Sequence, residues 1–253
     1  MNKAMLIQKL ESYRLRNLNQ VGPTLPQLSE SFVIAWIFHD HLIEGRSLNP
    51  EEIQAALTHQ DEMFPSYYRP LMEDIRMYRQ AIELIWNWGN QGSNALTLNH
   101  FKALHKHLLQ HEPKEAAQYR SNSPVHRDYH QDICNPSRVQ SLLKDFFEET
   151  QLFETDTQDI LAYAAYLHHR LMYIYPFRRQ PGLVARLFTN QFLFSHGYPP
   201  LIIASHDKGE YYDALSSHDY YALSQVFYKS VGRFLEVQPQ FLQNPSSIHH
   251  VAG

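Results

Sequence analysis

Residues 159–194 read DILAYAAYLHHRLMYIYPFRRQPGLVARLFTNQFLF, and this stretch decides the fold. From Asp159 to Ile174 the residues Ile160, Leu161, Ala164, Ala165, Leu167, Leu171, Met172 and Ile174, with Tyr163, Tyr166 and Tyr173, fall on nearly every side of a helical wheel. Leu183 to Phe194 does the same through Leu183, Val184, Ala185, Leu187, Phe188, Phe192, Leu193 and Phe194. A helix that is apolar all round is buried at the centre of a protein instead of lying on its surface. The pattern therefore predicts two central helices joined by the seven-residue connector Tyr175–Pro181. Arg178 and Arg179 place that connector at the edge of the core, because a guanidinium is not buried without a counter-charge. They stand just ahead of a helix N-terminus, which itself carries partial positive charge. Two readings follow: a solvated pair at a loop edge, or a pair that binds an anion directly. Arg186, one turn into the second helix, reaches the same spot. Pro181 suits the first helical position but removes one amide that an anion could use.

Outward from this pair, capping and breaking residues mark further helices. One runs from about Lys3 to Asn17 and a second from about Pro26 to Ile43, where Gly45 stops it. Asn49-Pro50-Glu51-Glu52 combines an N-cap, a proline at the first position and a capping-box glutamate. Helices are expected over about 69–88, about 97–111 and about 136–149, and two more between about Lys208 and Glu236. Glu112–Asn135 has no clear period and reads as a long loop of the kind that carries function. The division expected is an N-terminal amphipathic helix with its connector (1–25), one helical domain (26–236) and a polar C-terminal tail (237–253).

The 22 basic and 26 acidic residues leave a net charge of −4. That excludes a strong pull toward nucleic acid or an anionic membrane. No apolar run is long enough to span a bilayer, and a lone cysteine, Cys134, excludes an internal disulfide framework. The sixteen histidines show no metal-ligand spacing, so no structural metal is expected. His169, on a buried helix, reads as a satisfied core histidine.

The run LHHRLMYIYPFRRQPGLVAR, residues 167–186, resembles the signature region of the Fic (Fido) family, His-Pro-Phe-x-Asp/Glu-Gly-Asn-Gly-Arg-x-x-Arg, which lies between two core helices. Gln118-Tyr119-Arg120, His196-Gly197-Tyr198-Pro199-Pro200 and Tyr211-Tyr212-Asp213-Ala214-Leu215 resemble further family elements in the family's order. Leu42-Ile43-Glu44-Gly45 resembles its inhibitory-helix motif, with Asp40 where a Ser or Thr is usual. The resemblance implies an all-α domain with two buried central helices flanking the motif loop, related to enzymes that transfer AMP to proteins.

The departures bear on activity. Tyr175 stands where the family has its histidine general base, and a tyrosine with a pKa near about 10 is a poor proton acceptor. Arg179 replaces the acidic metal ligand, Gln180-Pro181 the Gly-Asn, and Leu183 the first arginine. Pro176, Phe177, Gly182 and Arg186 remain. The resemblance thus implies an anion or nucleotide site at Arg178, Arg179, Gly182 and Arg186, a regulatory Glu44, and a target-binding flap carrying Ser121, Pro124, His126 and Tyr129. It implies a Glu44–Arg186 ion pair, since the family's arginine meets either the inhibitory glutamate or a terminal phosphate. ATP or another nucleotide is the candidate ligand, and Mg²⁺ is not expected. Two functions stay open: a pseudoenzyme or regulatory protein binding a protein partner, and a metal-independent transferase on a nucleotide-type substrate using altered residues. A homo-oligomer is a further candidate state. The setting is cytoplasmic, or that of a secreted effector in a host cytosol.

Overall fold

The computed structural model describes residues 3–18, 29–60, 62, 64–124, 133–152, 159–217 and 219–237. Its ten α-helices are α1 (Lys3–Leu18), α2 (Glu30–Ile43), α3 (Pro50–Leu57), α4 (Arg69–Gly89), α5 (Leu98–Leu108), α6 (Val139–Gln151), α7 (Ile160–Ile174), α8 (Pro181–Ser195), α9 (Lys208–Ser216) and α10 (Tyr220–Val237). Among the described residues the only β pairing is one isolated antiparallel bridge, Tyr119 to Phe177. The chain is all-α.

Local chemistry sets most helix ends. Asn49 and Glu52 form the expected capping box, each side chain accepting the other residue's backbone N–H at 2.8 and 2.9 Å. Thr97 Oγ1 accepts from His100 N, and Asp159 Oδ1 accepts from Leu161 N and Ala162 N. Each of these satisfies donors that a helix start leaves orphaned. The structure moves four boundaries, among them the start of α6, which follows a 3-10 turn over Pro136–Arg138. Helix α2 starts at Glu30, because Ser29 in extended geometry caps it; Pro26 lies outside the described residues. Helix α5 stops at Leu108, and α8 begins at Pro181.

Helix α8 is the axis of the fold. Every residue from Pro181 to Phe194 is buried, and α4, α5 and α7 pack around it. A Cβ at Gly89 would fall 2.5 Å from Phe194 Cβ, so only glycine lets α4 approach α8 this closely. Helix α7 is covered on its other side by α10. Leu6, Leu10 and Tyr13 bring α1 into the same core, where Tyr13 meets Phe234 edge-on at 6.0 Å. Of the 237–253 segment, read as a polar tail, Val237 ends α10 and 238–253 lies outside the described residues.

This arrangement packs the α7–α8 connector against α5, through Phe177 on Phe101 and His105. The C-terminal end of α2 and the N-terminal end of α8 meet there.

Candidate functional site

Helix α7 ends at Tyr175, whose left-handed backbone (φ 43°, ψ 62°) turns the chain sharply. That conformation is uncommon for a non-glycine residue and needs support from its surroundings. Arg120 supplies it. Its Nε donates to Tyr175 O at 2.7 Å and its Nη2 donates to Ile174 O at 3.2 Å and to Cys134 O. A cation is thereby set on the negative end of α7. Arg120 N also donates to Pro176 O at 2.9 Å, beside the Tyr119–Phe177 bridge.

On the other side, the His105 ring stacks flat on Phe177 at 3.8 Å. Its Nδ1 accepts from Ala117 N at 2.8 Å, which leaves Nε2 to donate to Arg179 O at 2.9 Å. One neutral imidazole so ties α5, the following loop and the connector together, and burial lowers its pKa to about 4. Nothing local in the sequence singled out His105 from His107 and His111; a partner 74 positions away gives it its role.

Arg178 and Arg179 turn outward. Arg179 Nη2 lies 2.7 Å from Glu112 Oε1, and Arg178 Nη1 lies 3.4 Å from Glu115 Oε1. Their side chains are 46% and 74% exposed. The anions facing them are thus carboxylates of this chain's own loop, in keeping with the solvated-pair reading. Among the described residues, neither arginine shares an acidic partner with Arg186.

Arg186 is 4% exposed and meets two carboxylates from α2. Its Nε donates to Asp40 Oδ1 at 2.9 Å, and its Nη2 donates to Glu44 Oε1 at 2.8 Å and Asp40 O at 3.4 Å. The expected Glu44–Arg186 contact is therefore present, with Asp40 added to it. Tyr78 OH, from α4, donates to the other oxygen of Asp40. Arg186 Nη1 has no acceptor among the described residues. Gly182 leaves room for this meeting: a Cβ there would fall 2.6 Å from Glu44 Oε1 and 3.3 Å from Arg186 Nη1. The Glu44 carboxylate consequently lies against the first turn of α8, where exposed amides favour an anion.

Three more groups close the floor. Thr189 Oγ1 donates to Ala185 O at 2.8 Å, so it accepts from His168 Nδ1 at 3.0 Å; His168 Nε2 then accepts from Tyr211 OH at 2.7 Å. Burial, then the charge of Arg186, lowers the His168 pKa to about 3. Tyr212 OH donates to Ile43 O at 3.2 Å, pinning the last turn of α2. Tyr175 is itself buried, and burial, then the charge of Glu44, pushes its phenol above the ordinary range. It keeps its proton at neutral pH. His169 is buried, with Nε2 hydrogen-bonded to Leu215 O at 3.2 Å.

Gln180 takes a left-handed conformation (φ 51°) as the N-cap of α8. Ser121 is exposed and Pro124 half-buried, whereas His126 and Tyr129 lie outside the described residues. No Asp or Glu occurs between Tyr175 and Arg186. Among the described residues, no group of three or more His, Cys, Asp or Glu side chains is placed to hold a metal ion. No described helix is long and apolar enough to cross a membrane.

The fold is thus all-helical, its two innermost helices flank the connector, and buried Arg186, Asp40 and Glu44 lie beside it. Residues 95–193 match the model of the Fic/DOC family, and the chain carries a Fic/DOC-family domain. It is homologous to proteins named as protein adenylyltransferases. The Nematostella vectensis protein adenylyltransferase Fic is 25% identical over 181 residues, 71% of this chain and 42% of that protein. The Drosophila yakuba protein of the same name is 31% identical over 227 residues, 84% of this chain and 44% of that protein. The chain thus spans less than half the length of these curated relatives. Among solved structures, Fic-1 from C. elegans has the same fold, with a TM-score of 0.71 at 22% identity over 95% of this chain and 70% of that one. A Fic domain containing signaling protein from Bacteroides thetaiotaomicron superposes with a TM-score of 0.67 at 20% identity, covering 94% of this chain and 95% of that one.

Proposed function

We propose that this chain is a Fic-fold protein that does not transfer AMP and acts as a regulatory or interaction protein, with a protein as its partner. The observation that carries the reading is Arg186: the arginine that would meet a nucleotide phosphate has two of its three nitrogens, Nε and Nη2, occupied by Asp40 and Glu44. Tyr175, in the position of the general base, keeps its proton because burial and the nearby Glu44 carboxylate both disfavour the phenolate. A base in the wrong protonation state forfeits typically about 10²–10⁴ in rate. The residues present do not fit Mg²⁺, since Arg179 replaces the acid and is itself paired with Glu112. A triphosphate entering without a cation would meet two carboxylates at once, and like charges at such a distance repel strongly.

The test is incubation with ATP labelled at the α-phosphate, with Mg²⁺, alone and with generic protein acceptors. No incorporation above a heat-inactivated control is expected, nor any shift in melting temperature at millimolar ATP, since a shift requires binding to the folded state. Time-dependent incorporation that disappears in Tyr175→Phe would replace this reading with a tyrosine-dependent transferase.

A further inference from the structure

Asp40 and Glu44 hold Arg186 from different depths. The Asp40 side chain is 2% exposed and engaged on both oxygens, by Arg186 Nε at 2.9 Å and by Tyr78 OH, while its carbonyl lies 3.4 Å from Arg186 Nη2. It sits inside α2, so it can leave only if α2 lifts away from α4 and α8. Glu44 is 16% exposed, makes its contact through one oxygen, and stands at the C-cap beside Gly45 with φ 76°. A glutamate at a helix C-terminus is unfavourably placed for its own helix. What holds Glu44 is Arg186 and the first turn of α8.

We propose that Asp40 is a permanent counter-ion that keeps the Arg186 position closed to phosphate whether or not Glu44 is in place. The inference rests on reading Arg186 as the former phosphate contact. Charge bookkeeping carries it. Arg186 and Asp40 cancel, and Glu44 adds a second negative charge to one guanidinium. Removing Glu44 therefore leaves a neutral, hydrogen-bonded pair, which offers a polyanion no net charge to meet. The connector contributes no acid to bring a bridging cation. Neutralising Asp40 as well exposes an uncompensated guanidinium, with Nη1 facing Gly182 at the start of α8 and Nη2 released from Glu44. Tyr78 is part of the device, because its hydroxyl fixes the Asp40 oxygen that Arg186 does not use.

ATP affinity measured by titration calorimetry in Glu44→Gly and in Asp40→Asn/Glu44→Gly tests this. Asparagine keeps the shape of Asp40: its amide oxygen accepts from Arg186 Nε, and its amide N–H donates to the Tyr78 oxygen. Glu44→Gly alone is expected to gain less than about threefold over wild type, and the double variant at least about tenfold over Glu44→Gly. A tenfold gain in Glu44→Gly alone, or none in a folded double variant, overturns the proposal. Melting temperatures give a second readout should the double variant not fold. Asp40→Asn alone is expected to lower the melting temperature more than Glu44→Gly, and the reverse order overturns the proposal. AMP incorporation by the wild-type protein would defeat the proposed function without altering the affinity order, so the two failures are distinguishable.

Discussion

Replacing Arg186 by methionine removes what is, among the described residues, the only cation hydrogen-bonded to Asp40, while keeping most of the stem that packs in α8. Asp40 at 2% exposure then stays buried, with Tyr78 OH as its remaining side-chain donor. Breaking a buried pair from one side costs about 3–5 kcal/mol, because an uncompensated charge is left behind. Glu44 can turn toward water from its position at the end of α2, so it does not add a second buried, uncompensated charge. The surviving Tyr78 hydrogen bond places the expected loss at about 3–4 kcal/mol, the lower part of that range. For a domain of this size each kcal/mol moves the melting temperature by roughly 2–4 °C, which gives a drop of roughly 6–16 °C. Urea unfolding and calorimetry near neutral pH read both quantities. The companion variant Asp40→Leu/Arg186→Met removes both charges and should recover most of the loss, since apolar residues of similar size replace buried ion pairs well. If Arg186→Met unfolds within about 1 kcal/mol of wild type, or the double variant is no better than the single, the reasoning from a buried, charge-balanced pair fails.

Two further predictions come from other parts of the site. His41 and His105 have pKa values lowered to about 4, and His168 to about 3, in each case mainly by burial, from an ordinary value of 6.5. On acidification the unfolded chain therefore binds protons first, and the stability these neutral rings carry above 6.5 is lost as the pH falls toward their folded values. The slope is at most about 1.4 kcal/mol per pH unit for each ring, roughly 4 for the three together. Urea midpoints at about pH 7.5 and about pH 5.5 should differ clearly, and coincident midpoints would contradict burial of neutral histidines. Gly182→Ala places a Cβ 2.6 Å from Glu44 Oε1 and should displace that carboxylate, whereas Gly209→Ala meets nothing within 4 Å. The first change is expected to cost about 1.5–3 kcal/mol, the worth of one charge-assisted hydrogen bond. The second should be neutral or stabilising by up to about 1 kcal/mol; equal melting temperatures for the two would remove Glu44 from the first turn of α8.

Sequence alone determined the helical layers, because apolar period and caps act over one or two turns. Asp159, Asn49 and Thr97 each fix a helix start through atoms two or three residues away. The all-round apolar character of 160–174 and 183–194 could be satisfied only at the centre of the molecule. The Glu44–Arg186 contact was legible too, though by likeness to a motif and not from spacing, since 142 positions separate the two. Tertiary structure alone decided which charges meet. Arg178 and Arg179 stand beside a helix N-terminus in sequence, yet the loop after α5, folded back by Ala117 N–H on His105, presents Glu112 and Glu115 to them. Asp40 was visible as a substitution, but its clamp by Tyr78 depends on α2 crossing α4, and Tyr78 itself reads in sequence as one more apolar position of α4. Local patterns encode which face of a helix is buried. The partner of a buried charge is set by how helices far apart in the chain pack, and a single sequence carries no local trace of that.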